Sequence, residues 1–363
     1  MREEGVRVGI VGVGGIAASK HLPALSRLPN VELTAFCDIV EARARKGAAE
    51  FGDPGASVCT DYRRLVELPD LDVVHVLTPN CHHAAISAAA LDAGKHVLCE
   101  KPMAVSAEEG RAMIAAARRS GKKLTIGYQN RFRPDVQYLK QFCADGHMGE
   151  IYLAHALALR RRGLPAWGVY TDRQQQGGGA LIDAGTHAVD LVLWLMDNYA
   201  WDSVMAVTSD RLGRRAGLVN PSGRWDHEHF EVEDTAAAMI RFQNGAAVLV
   251  ETSWLLNTLQ GCRPSYILYG TKAGADYLDG LRINGESYGR LYETYPDLHS
   301  GIRYAEGRLH DDFLEAEHWI DAIVNDTQPL VRAEEAFAVT EIIDGIYESA
   351  QTGRAVYAND GNS

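Results

Sequence analysis

The run Gly12-Val13-Gly14-Gly15-Ile16-Ala17 directly follows a short apolar segment, Val6–Val11, and this placement constrains the chain more than any other feature. In such a strand–turn–helix the first glycine makes the tight turn and the second lets the backbone approach a pyrophosphate. The small Ala17 then allows helix and strand to pack closely. The helix start offers backbone N–H groups and its dipole to phosphate. The next apolar segment, Val31–Cys37, ends at Asp38, 21 residues beyond Ala17. A carboxylate placed there accepts hydrogen bonds from the adenosine ribose hydroxyls. The alternative is a purely structural turn with a surface aspartate. Read as a nucleotide site, Asp38 repels a 2′-phosphate and favours NAD over NADP, although Arg43 or Arg45 could fold back onto such a phosphate.

The same rhythm continues. Apolar runs at Asp72–Leu77, His96–Cys99 and Leu124–Ile126 alternate with Ala-rich segments of helical length at Glu41–Phe51, Ala84–Ala93 and Ala107–Arg119. Continuous apolar strands separated by helices predict a parallel sheet covered on both faces, and right-handed crossovers leave a doubly wound α/β topology. After residue 127 the pattern changes. Longer strands are expected at Ile151–Leu159, Ser203–Ser209, Thr235–Phe242, Ala246–Ser253 and Tyr266–Tyr269, with a hairpin at Gln243-Asn244-Gly245. Residues 212–230 and 257–263 read as loops, and Asp312–Val324 and Ala333–Gln351 as helices. The expected architecture is a dinucleotide-binding domain over residues 1–127. A substrate-binding and oligomerisation α+β domain follows over 128–363, built on a large, mainly antiparallel open-faced sheet.

At 363 residues the chain is long enough for two domains. A net charge of −12 argues against nucleic acid, which needs concentrated positive charge. No apolar run approaches the roughly 20 residues that span a bilayer. Six scattered cysteines without a C-x-x-C pair suit free thiols in a reducing compartment, so the expectation is a cytoplasmic protein without a membrane partner. The pair His227-Glu228-His229 lacks the further ligands of a metal site, and no metal is expected.

Thr78-Pro79-Asn80 closes the Asp72–Leu77 segment, where ligands of open α/β sheets bind, and His82 and His83 follow. Each histidine is either a cofactor neighbour or a solvent-facing imidazole at a helix start. Glu100-Lys101-Pro102 ends the His96–Cys99 segment, and the proline restricts where Lys101 points. That pair is either functional or a turn with a salt bridge. In Gly177–Asp190, Asp183 and His187 stand four apart and His187 and Asp190 three apart, spacings that share a helix face. A carboxylate beside an imidazole suits general acid/base work near neutrality. The competing arrangement is a capping aspartate with a core histidine.

Together these residues resemble the Gfo/Idh/MocA oxidoreductases, a Rossmann-fold family that includes glucose–fructose oxidoreductase and inositol dehydrogenase. The matching segments are GVGGIA, His21-Leu22-Pro23-Ala24, Thr78-Pro79-Asn80, GKHVLCEKP, Gly127-Tyr128-Gln129-Asn130-Arg131-Phe132, GGGALIDAGTHAVD and Ser349–Arg354. The resemblance implies an NAD-dependent dehydrogenase acting on a secondary hydroxyl of a sugar or cyclitol. It also implies a Lys101–Asp183–His187 constellation facing the nicotinamide, with His187 as acid/base, Lys101 stabilising the alkoxide and Asp183 orienting. The expected cofactor contacts are Gly12, Gly14, Gly15, Ile16, Asp38, Thr78, Pro79, Asn80, His83, Glu100 and Lys101. Lys101, Arg131, Arg161, Trp167, Asp183 and His187 are expected to line the substrate, with Arg160 a further candidate; a surface salt bridge is the alternative for each arginine. An NAD-dependent glycosidase and a non-catalytic dinucleotide sensor are the alternatives within the family. The one-sided sheet predicts a homodimer or homotetramer.

Overall fold

The computed structural model describes residues 5–259, 261–298 and 311–358. The chain divides into two compact units, Met1–Phe132 with Arg308–Phe337, and Arg133–Gly307 with Ala338–Ser363. In the first unit β1 (Val6–Val11), β2 (Val31–Cys37), β3 (Ser57–Cys59), β4 (Val73–Val76), β5 (His96–Cys99) and β6 (Leu124–Ile126) form one sheet. All its pairings are parallel, in the order β3-β2-β1-β4-β5-β6. The order reverses between β1 and β4, and ligands of doubly wound sheets bind at that switch point. Val8, Ile10, Phe36, Val73 and Leu98 fill the core because strands covered on both faces carry apolar residues without alternation.

The boundary expected at 127/128 needs correction. The helix Asp311–Val324 belongs to the first unit, since Ala316, Trp319, Ile320 and Ile323 join the core of Leu22, Leu25 and Leu98. A helix with this apolar stripe must bury it somewhere, and sequence order does not say where.

In the second unit β7 (Ile151–Leu159), β8 (Trp201–Ser209), β9 (Thr235–Phe242), β10 (Ala247–Ser253), β11 (Ser265–Gly270), β12 (Ala273–Tyr277), β13 (Leu281–Ser287), β14 (Arg290–Thr294) and β15 (Val356–Tyr357) build a nine-stranded sheet. Its order is β14-β13-β12-β11-β7-β10-β9-β8-β15, antiparallel except for the β7–β10 pair. The β9–β10 hairpin turns at Gly245, whose φ of +87° a side-chain-bearing residue rarely adopts. Burial alternates along β8, β9 and β10, which leaves one face covered and one open. Met205, Met239, Leu249, His155 and Ile267 stand in register across the open face, with Met205 and Met239 each 44% exposed. The covered face meets the helix Thr186–Met196. The stretch Arg173–Met196 has the length and hydropathy to cross a membrane, but 89% of its most apolar window is buried inside the protein.

Candidate active site

In the first unit the glycine turn follows β1 as its spacing requires. Gly12 has φ +92°, and a Cβ there would crowd the Leu77 carbonyl. A Cβ on Gly14 or Gly15 would meet nothing, so both glycines border open space that a phosphate could fill. Asp38 closes this turn from below, accepting hydrogen bonds from Val13 N at 2.9 Å and Val40 N at 2.8 Å. Its carboxylate therefore has a structural task as well as its place beside the cradle. Ile39 and Val40 next to it are exposed aliphatics. At the end of β4, Thr78 Oγ1 is buried with no hydrogen-bond partner among the described residues, while Pro79 is half-buried and Asn80 buried. Open backbone, a neighbouring carboxylate and an orphaned hydroxyl fit a dinucleotide.

The helix expected after the turn is instead a π-turn, Ala17–His21, running into a four-residue helix, Leu22–Leu25. This widened turn carries Lys20 and His21 inward, where both reach one oxygen of Glu100, at 2.8 and 3.0 Å. Glu100 is thus the anchor of a buried network. Burial alone would push its carboxyl up, but Lys20 and His21 hold it well below the usual range. Its second oxygen accepts from Lys101 N at 3.0 Å and so fixes the backbone of the catalytic candidate. Lys20 also pairs with Glu315 at 2.8 Å, and His21 faces His75 at 3.3 Å. Burial weighs against the Lys20 ammonium, but the two carboxylates outweigh it and raise its pKa. Lys101 itself is half-buried, and its peptide bond to Pro102 is cis.

His83 has a structural task too. Its ring is fully buried, with Nδ1 2.7 Å from the Pro102 carbonyl and Nε2 2.9 Å from that of Thr78. It braces the Thr78 loop against the segment after Lys101, and burial lowers its pKa. His82 is exposed. Arg131, expected at the substrate, is buried in the first unit with 0% exposure. It donates to Glu335 at 2.5 Å and to the Leu330 carbonyl at 3.3 Å.

In the second unit Asp183 lies within a π-turn, Leu181–Gly185, rather than on a regular helix. Such turns interrupt helices frequently at functional sites. His187 follows in the first turn of Thr186–Met196, 7% exposed, and Asp190 is fully buried. Asp183 accepts from the Trp254 indole N–H at 2.9 Å, and Arg160 Nη1 stands 3.9 Å from the same oxygen. Sequence reasoning passed over Trp254, a buried residue just past β10. An aromatic series leads outward from it: Tyr170 lies edge-on at 6.3 Å and Trp167, 60% exposed, at 6.1 Å from Tyr170. Arg161 is exposed. Leu164, Phe230, Val232, Trp254 and Leu255 form a small core that ties the loop at 210–230 to it. His229 is paired with Asp226 at 2.7 Å, and no group of three or more potential metal-ligating side chains occurs among the described residues.

The fold and the cradle define a protein with a dinucleotide-binding parallel-sheet unit, and the comparisons give its class. A model described as an oxidoreductase family with an NAD-binding Rossmann fold matches residues 6–128, and the GFO/IDH/MocA C-terminal domain matches residues 136–276. The chain belongs to the GFO/IDH/MocA oxidoreductase family. Similar proteins include D-glucoside 3-dehydrogenase of Escherichia coli, 33% identical over 98% of each chain. Levoglucosan dehydrogenase of Pseudarthrobacter phenanthrenivorans is 31% identical over 96% of each. A solved levoglucosan dehydrogenase in complex with NADH shares the fold, with a TM-score of 0.80 at 24% identity, covering 98% of this chain and 99% of that one.

Proposed function

We propose that this protein oxidises a secondary hydroxyl of a sugar, sugar derivative or cyclitol with NAD, glucosides being the first class to test. The observation that carries the reading is Asp183. It is held by Trp254 and flanked by Arg160, at the inner end of an aromatic wall whose outer member is exposed. Polar groups beside flat apolar faces suit a ring that is hydroxylated at its edges and apolar on its faces. The glucoside and levoglucosan dehydrogenases among the relatives support the same substrate class.

Gly14, Gly15, Asp38 and Thr78 would hold the dinucleotide, which when bound supplies the hydride acceptor. His187 takes the hydroxyl proton, Lys101 stabilises the developing alkoxide, and Asp183 orients the substrate. Asp38 supports NAD over NADP, because a second negative charge on the ribose would be repelled. The register row Met205–Met239–Leu249–His155–Ile267, apolar but for His155, is a face of the kind that a second copy of the chain covers, so the working form is a homodimer or homotetramer.

The test is reduction of NAD and of NADP with a panel of glucosides, free sugars and inositols, with a His187→Ala control. Reduced NAD with one polyol class, falling about 10²–10⁴-fold in the variant, is the expected result. Glycoside cleavage without net reduced cofactor, or tight NAD binding without any turnover, would overturn it.

A further inference from the structure

Of the three glycines before the Asp183 turn, Gly177 ends the short helix Arg173–Gln176 in a left-handed conformation, while Gly178 and Gly179 pass against Tyr347 and Glu233. Glu233 is 5% exposed and lies just before β9. Its two oxygens accept from Gly179 N at 3.0 and 2.9 Å. One of them also accepts from Leu181 N and from the Tyr347 hydroxyl, each at 2.9 Å. The backbone adds Ala180 N to the Glu233 carbonyl at 3.1 Å, and Thr252 Oγ1 donates to the Ala180 carbonyl at 3.0 Å. A Cβ on Gly178 would overlap the Tyr347 hydroxyl, and one on Gly179 the Glu233 carbonyl oxygen, so only glycine lets the chain pass this close. Asp183 N then donates to Gly179 O at 3.0 Å, which links the clamped segment directly to the candidate catalytic turn. A buried carboxylate receiving several N–H and O–H bonds is a strong, directional anchor. A π-turn is a rare, single-turn departure from the α-helix, so contacts outside it have to hold it in place.

We propose that Glu233, held in place by Tyr347, is a positioning residue that fixes the Gly179–Leu181 backbone and so sets where Asp183 and His187 stand for the reaction. This rests on the reading in which those two residues act on the substrate. A polar cavity of about 470 Å³, lined by Arg173, Asp210, Glu231, Glu233, Tyr347 and Gln351 among others, opens onto the same carboxylate. A small carboxylate can therefore enter the space that a Glu233→Ala substitution vacates.

The experiment combines steady-state kinetics with hydrogen exchange on the full chain. Glu233→Ala is expected to lose about 10²-fold in kcat, as displaced reacting groups do, with KM for sugar and NAD within about threefold of wild type. Formate should restore kcat saturably, whereas formamide or chloride at equal ionic strength should not. Exchange across 179–187 should quicken in the variant and slow again with formate. If the alanine variant does not fold, Glu233→Gln and Tyr347→Phe carry the test, each expected to lower kcat by about tenfold with KM retained. Wild-type kcat in the variants, absent formate rescue, or unchanged exchange across 179–187 each overturns the proposal. A wild-type chain silent on every sugar, with the exchange result intact, overturns the assigned reaction instead.

Discussion

Replacing Arg131 by alanine should unfold the protein more easily and leave its substrate kinetics alone. The guanidinium is fully buried and sits 2.5 Å from Glu335, so its loss strands a carboxylate that is only 8% exposed. Removing one partner of a buried pair costs about 3–5 kcal/mol. Arg332 also contacts Glu335 and keeps part of that charge compensated, which places the cost at the lower end, about 3 kcal/mol. At about 2–4 °C per kcal/mol for a unit of this size, the first unit should melt about 6–12 °C lower. Calorimetry reads the midpoint, and kinetics reads KM for the sugar. Removing both charges together, as Arg131→Met with Glu335→Leu, should recover most of the loss, because well-packed apolar residues replace a buried ion pair at little cost. A wild-type midpoint in Arg131→Ala, accompanied by a KM raised tenfold or more, would refute the reasoning and return Arg131 to the substrate wall.

Trp254→Phe removes the indole donor to Asp183. Loss of a bond to a charged group should lower kcat/KM by about ten- to a hundredfold, and unchanged kinetics would remove Trp254 from the positioning of Asp183. Burial pushes Glu315 up to about 7, with Lys20 opposing and Glu100 adding to the rise. The folded chain therefore holds a proton that the unfolded chain releases near 4.5, and this stabilisation is full below that pH and fades as pH climbs through 7. Glu315→Gln should gain on wild type between pH 5 and 8 by up to about 3 kcal/mol, and thermal midpoints that run parallel across that range would contradict it. Asp38→Ala should weaken NAD about tenfold, measured by fluorescence titration, while NADP loses less; an unchanged NAD affinity would confine Asp38 to its bonds with Val13 and Val40.

The parallel-sheet unit was legible because its signals are local: apolar runs without alternation, a glycine turn and an acid at the next strand end. The short β14 was not, since it is exposed at every position and offers no buried face to read. The helix Pro134–Ala144 buries few apolar side chains, chiefly Val136 and Leu139, and leaves Tyr138 exposed, so its periodicity is faint. The buried ion pairs were hidden for a different reason. Glu100 and Arg131 have partners, Lys20 and Glu335, that lie 80 and 204 residues away. Both π-turns, at Ala17–His21 and Leu181–Gly185, escape patterns built on 3.6 residues per turn. Asp183 and His187 stand out as candidates by their spacing, whereas Trp254 and Glu233 belong to the same neighbourhood only through the fold.

The most direct measurement of the central claim uses a glucoside deuterated at the ring carbon that is oxidised, incubated with NAD and the intact chain. Deuterium appearing at C4 of the nicotinamide, with a slower turnover than the protiated sugar and transfer slowed about 10²–10⁴-fold in His187→Ala, is what a hydride-transferring sugar dehydrogenase must give. Deuterium released to water, or retained in a cleaved sugar with no reduced cofactor, would contradict it.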